Sequence, residues 1–413
     1  MNQQLRNDAE TIVRQAIEAV KPDEAVRRAL EQVQLTDRVY LVAVGKAAWQ
    51  MAAAAVRYLE TPLHRGVVIT KYDHVMGEIP GVTCYEAGHP VPDENSFAAT
   101  RAVLELTENL SAEDTVLFLL SGGGSALFEL PLVEGEVLQA VTRKLLAGGA
   151  DITEINTVRK RLSQVKGGRF ALHCAPARVE TVILSDIIGD PVDMIASGPA
   201  AADPVTMEQA QQVARKYGLD MFPEAWDCLG QETPKEVPNV HTQIIGSVRQ
   251  LCRAAEQAAR ELGYECIFLT DQLTGEASDT GRWMAEKLLE YKDSGRKLAL
   301  LAGGETVVHL KGNGKGGRNQ ELALAAAQML DGVPQAALIS VGSDGTDGPT
   351  DAAGGYVDGG TVQALVEQGM DIHHYLANND AYHGLQAVGN LIFTGPTGTN
   401  VNDVTVGLIW NET

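Results

Sequence analysis

Glycine, lysine, arginine and carboxylate residues recur in this chain where an apolar run stops. The densest case is Leu301 to Glu321, LAGGETVVHLKGNGKGGRNQE. An apolar run ends at Gly303-Gly304, and Glu305 follows at once. A loop with Gly312, Gly314, Gly316 and Gly317 then leads to Arg318 and Asn319, where a helical pattern begins. Glycines let backbone N–H groups approach a ligand with no Cβ in the way. A helix start favours an anion, and Lys315 and Arg318 add positive charge. This pattern suits the binding of phosphate or carboxylate. Gly312-x-Gly314-x-x-Gly317 also spells the dinucleotide fingerprint, and the same composition suits a solvated turn.

Other clusters share that position. Lys46 follows Val39–Val44 and precedes an Ala-rich helical pattern. Helix starts disfavour cations, so a lysine there suits phosphate binding as a point charge. Ser121-Gly122-Gly123-Gly124-Ser125 follows the run Thr115–Leu120 and offers successive N–H groups and two hydroxyls to an anion. Asp186 and Asp190 bracket a turn after Glu180–Leu184 and suit Mg²⁺ binding, proton acceptance or turn capping. Asp344, Asp347 and Asp351 form an acidic loop after Ala336–Val341, fit for a hard cation or for turns. His89, between glycine and proline, reads as a loop hydrogen-bonder.

The elements that must position these groups alternate. Buried-type strands over 39–44, 66–70, 82–86, 115–120 and 180–184 are interleaved with helical patterns. The alternation resumes after a polar, proline-containing stretch at 230–241. This predicts an α/β protein of two α/β domains, 1–235 and 236–413, with mostly parallel sheets. In such sheets ligands sit beyond the carboxyl ends of strands, which is where Lys46, Ser121–Ser125, Asp186–Asp190, Glu305 and Asp344–Asp351 fall.

Composition narrows the partners. The 413 residues are 45% hydrophobic and 21% charged, with a net charge of −21. That charge disfavours nucleic acid or an anionic membrane, so small molecules are the expected partners. The five cysteines are widely spaced with no C-x-x-C, which fits reduced thiols in a cytoplasm and no zinc pattern. The segment MNQQLRNDAE lacks the apolar core of a signal peptide. Many anion donors with scattered aspartates suit phosphoryl transfer, which is mainly positioning and charge neutralisation. Neither a P-loop nor the protein-kinase motif set occurs.

The chain resembles the class II glycerate 2-kinases, the GckA/TtuD-like or MOFRL family. The resemblance rests on VGKAA (44–48), GHPVPDENS (88–96), SGGGSAL (121–127), INTVRKRLSQVKGGR (155–169), SDIIGDP (185–191) and ASGP (196–199). It continues in GGET (303–306), GGRNQE (316–321), SDGTDGPTDAAG (343–354) and TGTNVND (397–403). It implies a Rossmann-like, mostly parallel N-terminal domain and a C-terminal domain with a mixed sheet. It also implies ATP- and Mg²⁺-dependent phosphorylation of D-glycerate at the 2-hydroxyl, in a cleft between the domains. Lys46 and Arg318 resemble the family's cationic pair, with Glu305, Asp344 and Asp403 as polar groups of the cleft. The expected assignments are Lys46, Arg318, Asp190 and Asp186 as catalytic groups. Ser121–Ser125, Glu305, Gly316, Gly317, Asn319 and Asp403 bind substrate or nucleotide, and Asp344 and Asp351 bind metal. Hydroxypyruvate reduction with a nicotinamide cofactor is the alternative activity. Monomer and homodimer are both open.

Overall fold

The computed structural model describes residues 2–410, which form two compact units. One comprises residues 25–185 and 190–245; the other comprises the described residues 2–24, 186–189 and 246–410. None of the described helices is long and apolar enough to cross a membrane.

The first unit is built on β1 (Arg38–Val44), β2 (Leu63–Lys71), β3 (Val82–Ala87), β4 (Asp114–Leu120), β5 (Arg178–Leu184) and β6 (Val240–Gly246), in the order β3-β2-β1-β4-β5-β6. The β1–β2, β1–β4, β2–β3 and β4–β5 pairs are all parallel. Every residue of β4, and all but the first of β1 and β5, is buried. Burial on both faces is what turns such strands into continuous apolar runs. β6 lies past the 235/236 division expected from sequence and completes this sheet. A second core joins the helices Gly135–Ala147 and Ile152–Arg161 to Met207–Lys216 and Pro223–Leu229, through Leu138, Val141, Val158 and Ala214. Capping boxes at Asp151 and Thr206 start two of these helices.

The second unit holds β7 (Glu265–Leu273), β8 (Leu298–Gly304), β9 (Ala336–Gly342), β10 (Gly354–Asp358), β11 (Leu391–Ile392) and β12 (Asp403–Ile409), in the order β11-β10-β9-β12-β8-β7. β7 and β8 run parallel, while β12 is antiparallel to both β8 and β9. The sheet is therefore mixed. β8, β9 and β12 are buried along their full length. The helix Gln3–Ala19 packs in this unit, on the helix Val248–Glu261 and on β9 and β12. Its buried Asp8 accepts a 2.7 Å bond from Tyr264 Oη. β12 enters the sheet at Asp403, in register with Gly304 and Gly342. The first residue of β12 thus sits between the last residues of β8 and β9.

Candidate active site

In the first unit the corner after β1 meets the corner after β4. Gly45 adopts φ 126°, and a Cβ there would stand 2.2 Å from Ser121 Oγ, so only glycine fits. The Lys46 N–H donates to Gly122 O at 2.9 Å, and the Ala47 N–H donates to Ser121 Oγ at 3.1 Å. A Cβ on Gly123 would lie 3.0 Å from His89 Cδ2 and 3.3 Å from Lys46 Cγ. Lys46, His89 and the glycines therefore share one corner. Burial, with Lys46 and Lys71 nearby, holds the His89 pKa below its ordinary value, so its imidazole is neutral near pH 7.

The backbone N–H groups of Gly122, Gly123, Gly124 and Ser125 donate to nothing among the described residues, and the Lys46 ammonium has no ion-pair partner there. Successive unused N–H groups beside a lysine form an anion-binding concavity. The structure fixes this loop from behind. Ser125 Oγ lies 2.8 Å from Ser197 Oγ, which donates to Asn156 Oδ1 at 2.8 Å. Arg159 Nη2 donates to Ser125 O at 3.0 Å. Ala196, Ser197 and Gly198 are all left-handed, with φ of 50°, 63° and 64°. Two non-glycine residues in that region store strain of a kind that clusters at functional sites. Asn156 and Ser197 lie within the motifs at 155–169 and 196–199, but residue type alone does not show that they bond each other and Ser125.

Behind this loop lies a buried ion pair. Lys166 Nζ is 2.6 Å from Glu129 Oε2 and 2.9 Å from Phe128 O. Full burial lowers the Lys166 pKa to about 8, against the pull of Glu129.

The second unit gathers a different set. Arg318 donates from Nε to Asp403 Oδ2 at 2.6 Å, from Nη2 to Asp403 Oδ1 at 3.0 Å and from Nη1 to Glu305 Oε1 at 2.9 Å. Burial alone would lower the arginine pKa, but the bonds and charges of Asp403 and Glu305 outweigh it and raise it. Burial pushes the Asp403 carboxyl up, against the same Arg318 bonds. One hydrogen on each Nη stays available to a ligand oxygen. Asp344 joins the cluster: a Cβ on Gly342 would stand 3.4 Å from both Asp344 Oδ1 and Asp403 Oδ1. Asp344 also accepts from the Thr346 N–H at 2.9 Å.

The loop 312–317 corrects the sequence reading. The N–H groups of residues 311–315 are taken up by the protein itself. Lys311 and Gly312 donate to Asn379 Oδ1, Asn313 to Asn378 Oδ1, Gly314 to Asn378 O and Lys315 to Asp380 Oδ1. A Cβ on Gly312 or Gly314 would run into the 378–380 backbone at 2.6 Å or less. These glycines serve loop-on-loop packing. No strand leads directly into the loop either, so the dinucleotide fingerprint is literal only. The anion expected at the start of the helix Arg318–Leu330 is the protein's own. Asp347 accepts from the Asn319 N–H at 3.1 Å and the Gln320 N–H at 2.8 Å. A Cβ on Gly317 would lie 2.3 Å from Asp347 Cγ, so this glycine admits the carboxylate. Burial raises the Asp347 pKa to about 7, against the pull of those N–H groups. Asn319 also bonds Ser340 Oγ at 2.7 Å, so it braces the helix start against β9.

The remaining expected residues are placed as follows. Asp351 is exposed, accepts from Tyr382 Oη at 2.8 Å, and Lys315 Nζ lies 4.0 Å over the Tyr382 ring. Asp186 is half-buried and falls with the second unit, whereas Asp190 falls with the first. Asp190 has φ 53°, and its Oδ1 is shielded from solvent without a hydrogen-bond partner. Among the described residues no group of three or more His, Cys, Asp or Glu side chains is arranged to hold a metal ion. Mg²⁺ commonly binds through one or two carboxylates plus substrate phosphates. Asp344 fits that mode.

Two α/β units with polar groups at the carboxyl ends of their strands place the protein in a recognisable class. Residues 298–403 match the MOFRL family, and residues 8–229 match a family described as a domain of unknown function (DUF4147). The chain is 54% identical to the D-glycerate 2-kinase of Thermotoga maritima over 98% of both chains. It is 40% identical to the glycerate 2-kinase of Pyrococcus horikoshii over 97% of this chain and 96% of that one. A crystal structure of the Thermotoga maritima glycerate kinase superposes with a TM-score of 0.95, at 53% identity, covering 98% of this chain and 100% of that one. The chain belongs to the glycerate 2-kinases of the MOFRL family.

Proposed function

We propose that the protein transfers the terminal phosphoryl group of ATP to the 2-hydroxyl of D-glycerate, giving 2-phosphoglycerate. The observation that carries this reading is the run of four N–H groups at Gly122–Ser125, beside Lys46, none of which has a partner among the described residues. Such donors suit oxygens whose charge spreads during transfer. The likeness to proteins named glycerate 2-kinase supports the choice of acceptor.

In this reading Lys46 and the loop neutralise the transferring group. Asp190 accepts the proton of the attacking hydroxyl, since its Oδ1 is shielded and unpartnered. Arg318, aimed by Asp403 and Glu305, holds an oxygen of phosphate or of the glycerate carboxylate through its free Nη hydrogens. Asp344 and the phosphates hold Mg²⁺, which supplies charge neutralisation when bound. Asp186 and Asp351 remain further candidates for the base and the metal.

The test is ³¹P NMR of a reaction with D-glycerate, ATP and Mg²⁺. Formation of 2-phosphoglycerate is expected; no phosphoglycerate, or only the 3-isomer, refutes the reading. A parallel assay with NADH and hydroxypyruvate addresses the reductase alternative. A relative from Agrobacterium vitis, 38% identical, is named as a putative hydroxypyruvate reductase. The occupied N–H groups of residues 311–315 count against that alternative here.

A further inference from the structure

Within the first unit, a pocket of about 330 Å³ opens between the loop at Pro90–Pro92 and the helix Gly135–Ala147. Pro90, Val91, Phe97, Leu138 and Leu146 form its apolar walls. Val91 is 64% exposed and Leu146 61%, large apolar side chains left in water beside a concavity. Its polar lining includes Gln139 and Arg143, four residues apart on one helix face, and Arg159. Neither the Gln139 carboxamide nor the Arg143 guanidinium has a hydrogen-bond or ion-pair partner among the described residues.

The pocket adjoins the Gly122–Ser125 loop on two sides. Pro90 follows His89, whose ring lies against Gly123. Arg159, also in the lining, holds Ser125 O. A ligand whose phosphates sit on the loop would have its far end here. Glycerate is small and polar throughout and gains nothing from apolar walls. A nucleobase has flat apolar faces and a polar edge. The faces suit Val91, Leu146 and a stacked guanidinium, and a free carboxamide can pair with a base edge in two bonds. The size falls at the lower end of ligand pockets.

We propose that this pocket, between the His89–Pro92 loop and the helix Gly135–Ala147, binds the nucleobase of the nucleoside triphosphate whose phosphates lie on Gly122–Ser125. The inference rests on the kinase reading for its ligand, and its test is separable from that reading. Titration calorimetry on the full chain would compare ATP with inorganic triphosphate, for the wild type, Leu146→Arg and Gln139→Ala. Both side chains are exposed, so neither variant disturbs a core. Leu146→Arg fills the mouth of the pocket and is expected to weaken ATP binding about tenfold or more. Triphosphate, which needs only the loop, is expected to bind unchanged, and Gln139→Ala is expected to weaken ATP alone. Unchanged ATP affinity in both variants overturns the proposal, as does equal weakening of ATP and triphosphate. So does a wild type that binds no ATP. A changed association state in Leu146→Arg with unaltered ATP affinity would identify the patch as a self-interface and also overturn it. Phosphorylation of glycerate with unaltered KM for ATP in Leu146→Arg sinks the pocket alone; ATP binding as expected without glycerate turnover sinks the kinase reading alone.

Discussion

Arg318 meets Asp403 through two hydrogen bonds of 2.6 and 3.0 Å, joining the first residue of a helix to the first residue of β12. The pair is a fixed fork on a carboxylate, and its third arm reaches Glu305.

A lysine cannot reproduce that fork. Arg318→Lys keeps the charge but loses the bidentate geometry, so kcat is expected to fall about 10²-fold or more with the fold intact by circular dichroism. Near-normal turnover in this variant would remove Arg318 from the chemistry.

Asp190→Asn separates a base from a turn residue. Asparagine also tolerates the left-handed backbone found at this position. Loss of kcat by about 10²-fold or more, with little change in the KM for glycerate, is expected for a base. Retained kcat would leave positioning by Lys46 and Arg318 as the main catalytic device.

Asp347 gives a pH signature in stability. Its folded pKa, about 7, lies above the ordinary carboxylate value, so the folded state holds the proton more tightly than the unfolded chain. The associated stability is fully present at low pH and is lost as pH rises from the ordinary carboxylate value to about 7. Asp347→Asn lacks this dependence. The Tm of the wild type minus that of the variant should therefore be more positive at pH 5 than at pH 8. A constant difference would mean that Asp347 is ionised throughout that range.

Glu129 compensates a fully buried ammonium. Glu129→Gln leaves Lys166 with the Phe128 carbonyl and no counter-charge, which should cost about 3–5 kcal/mol in urea unfolding. Adding Lys166→Met should restore much of the loss, because the double variant buries no charge. Should the double variant be no more stable than Glu129→Gln, the cost lies elsewhere than in the unpaired charge.

The strands with continuous apolar runs, such as β1, β4 and β9, were legible because burial on both faces leaves that signature in the residues themselves. β6 was not: it is only partly buried and follows a polar stretch. The insertion of β12 between β8 and β9 depends on pairing with strands far back in sequence, which no local pattern carries. The same limit governed the site. The corner of Lys46 and Ser121–Ser125 could be read because glycine and charge mark it directly. The loop at 312–317 looked alike in composition, but its N–H partners, Asn378 to Asp380, stand about 65 residues on. Asp347 likewise reaches a helix start that precedes it by nearly thirty residues.

The placement of the helix Gln3–Ala19 has a consequence for synthesis. This helix leaves the ribosome before every strand of the described residues, yet its resting place includes β12, the last of those strands. The first unit has all six strands once β6 has been made, and domains generally fold as they are produced. The apolar face of the helix, with Leu5, Ile12, Val13 and Ile17, must meanwhile wait through most of translation. A nascent chain halted after β6 should thus carry a finished first unit and a sticky leading helix, a natural client for a holding chaperone.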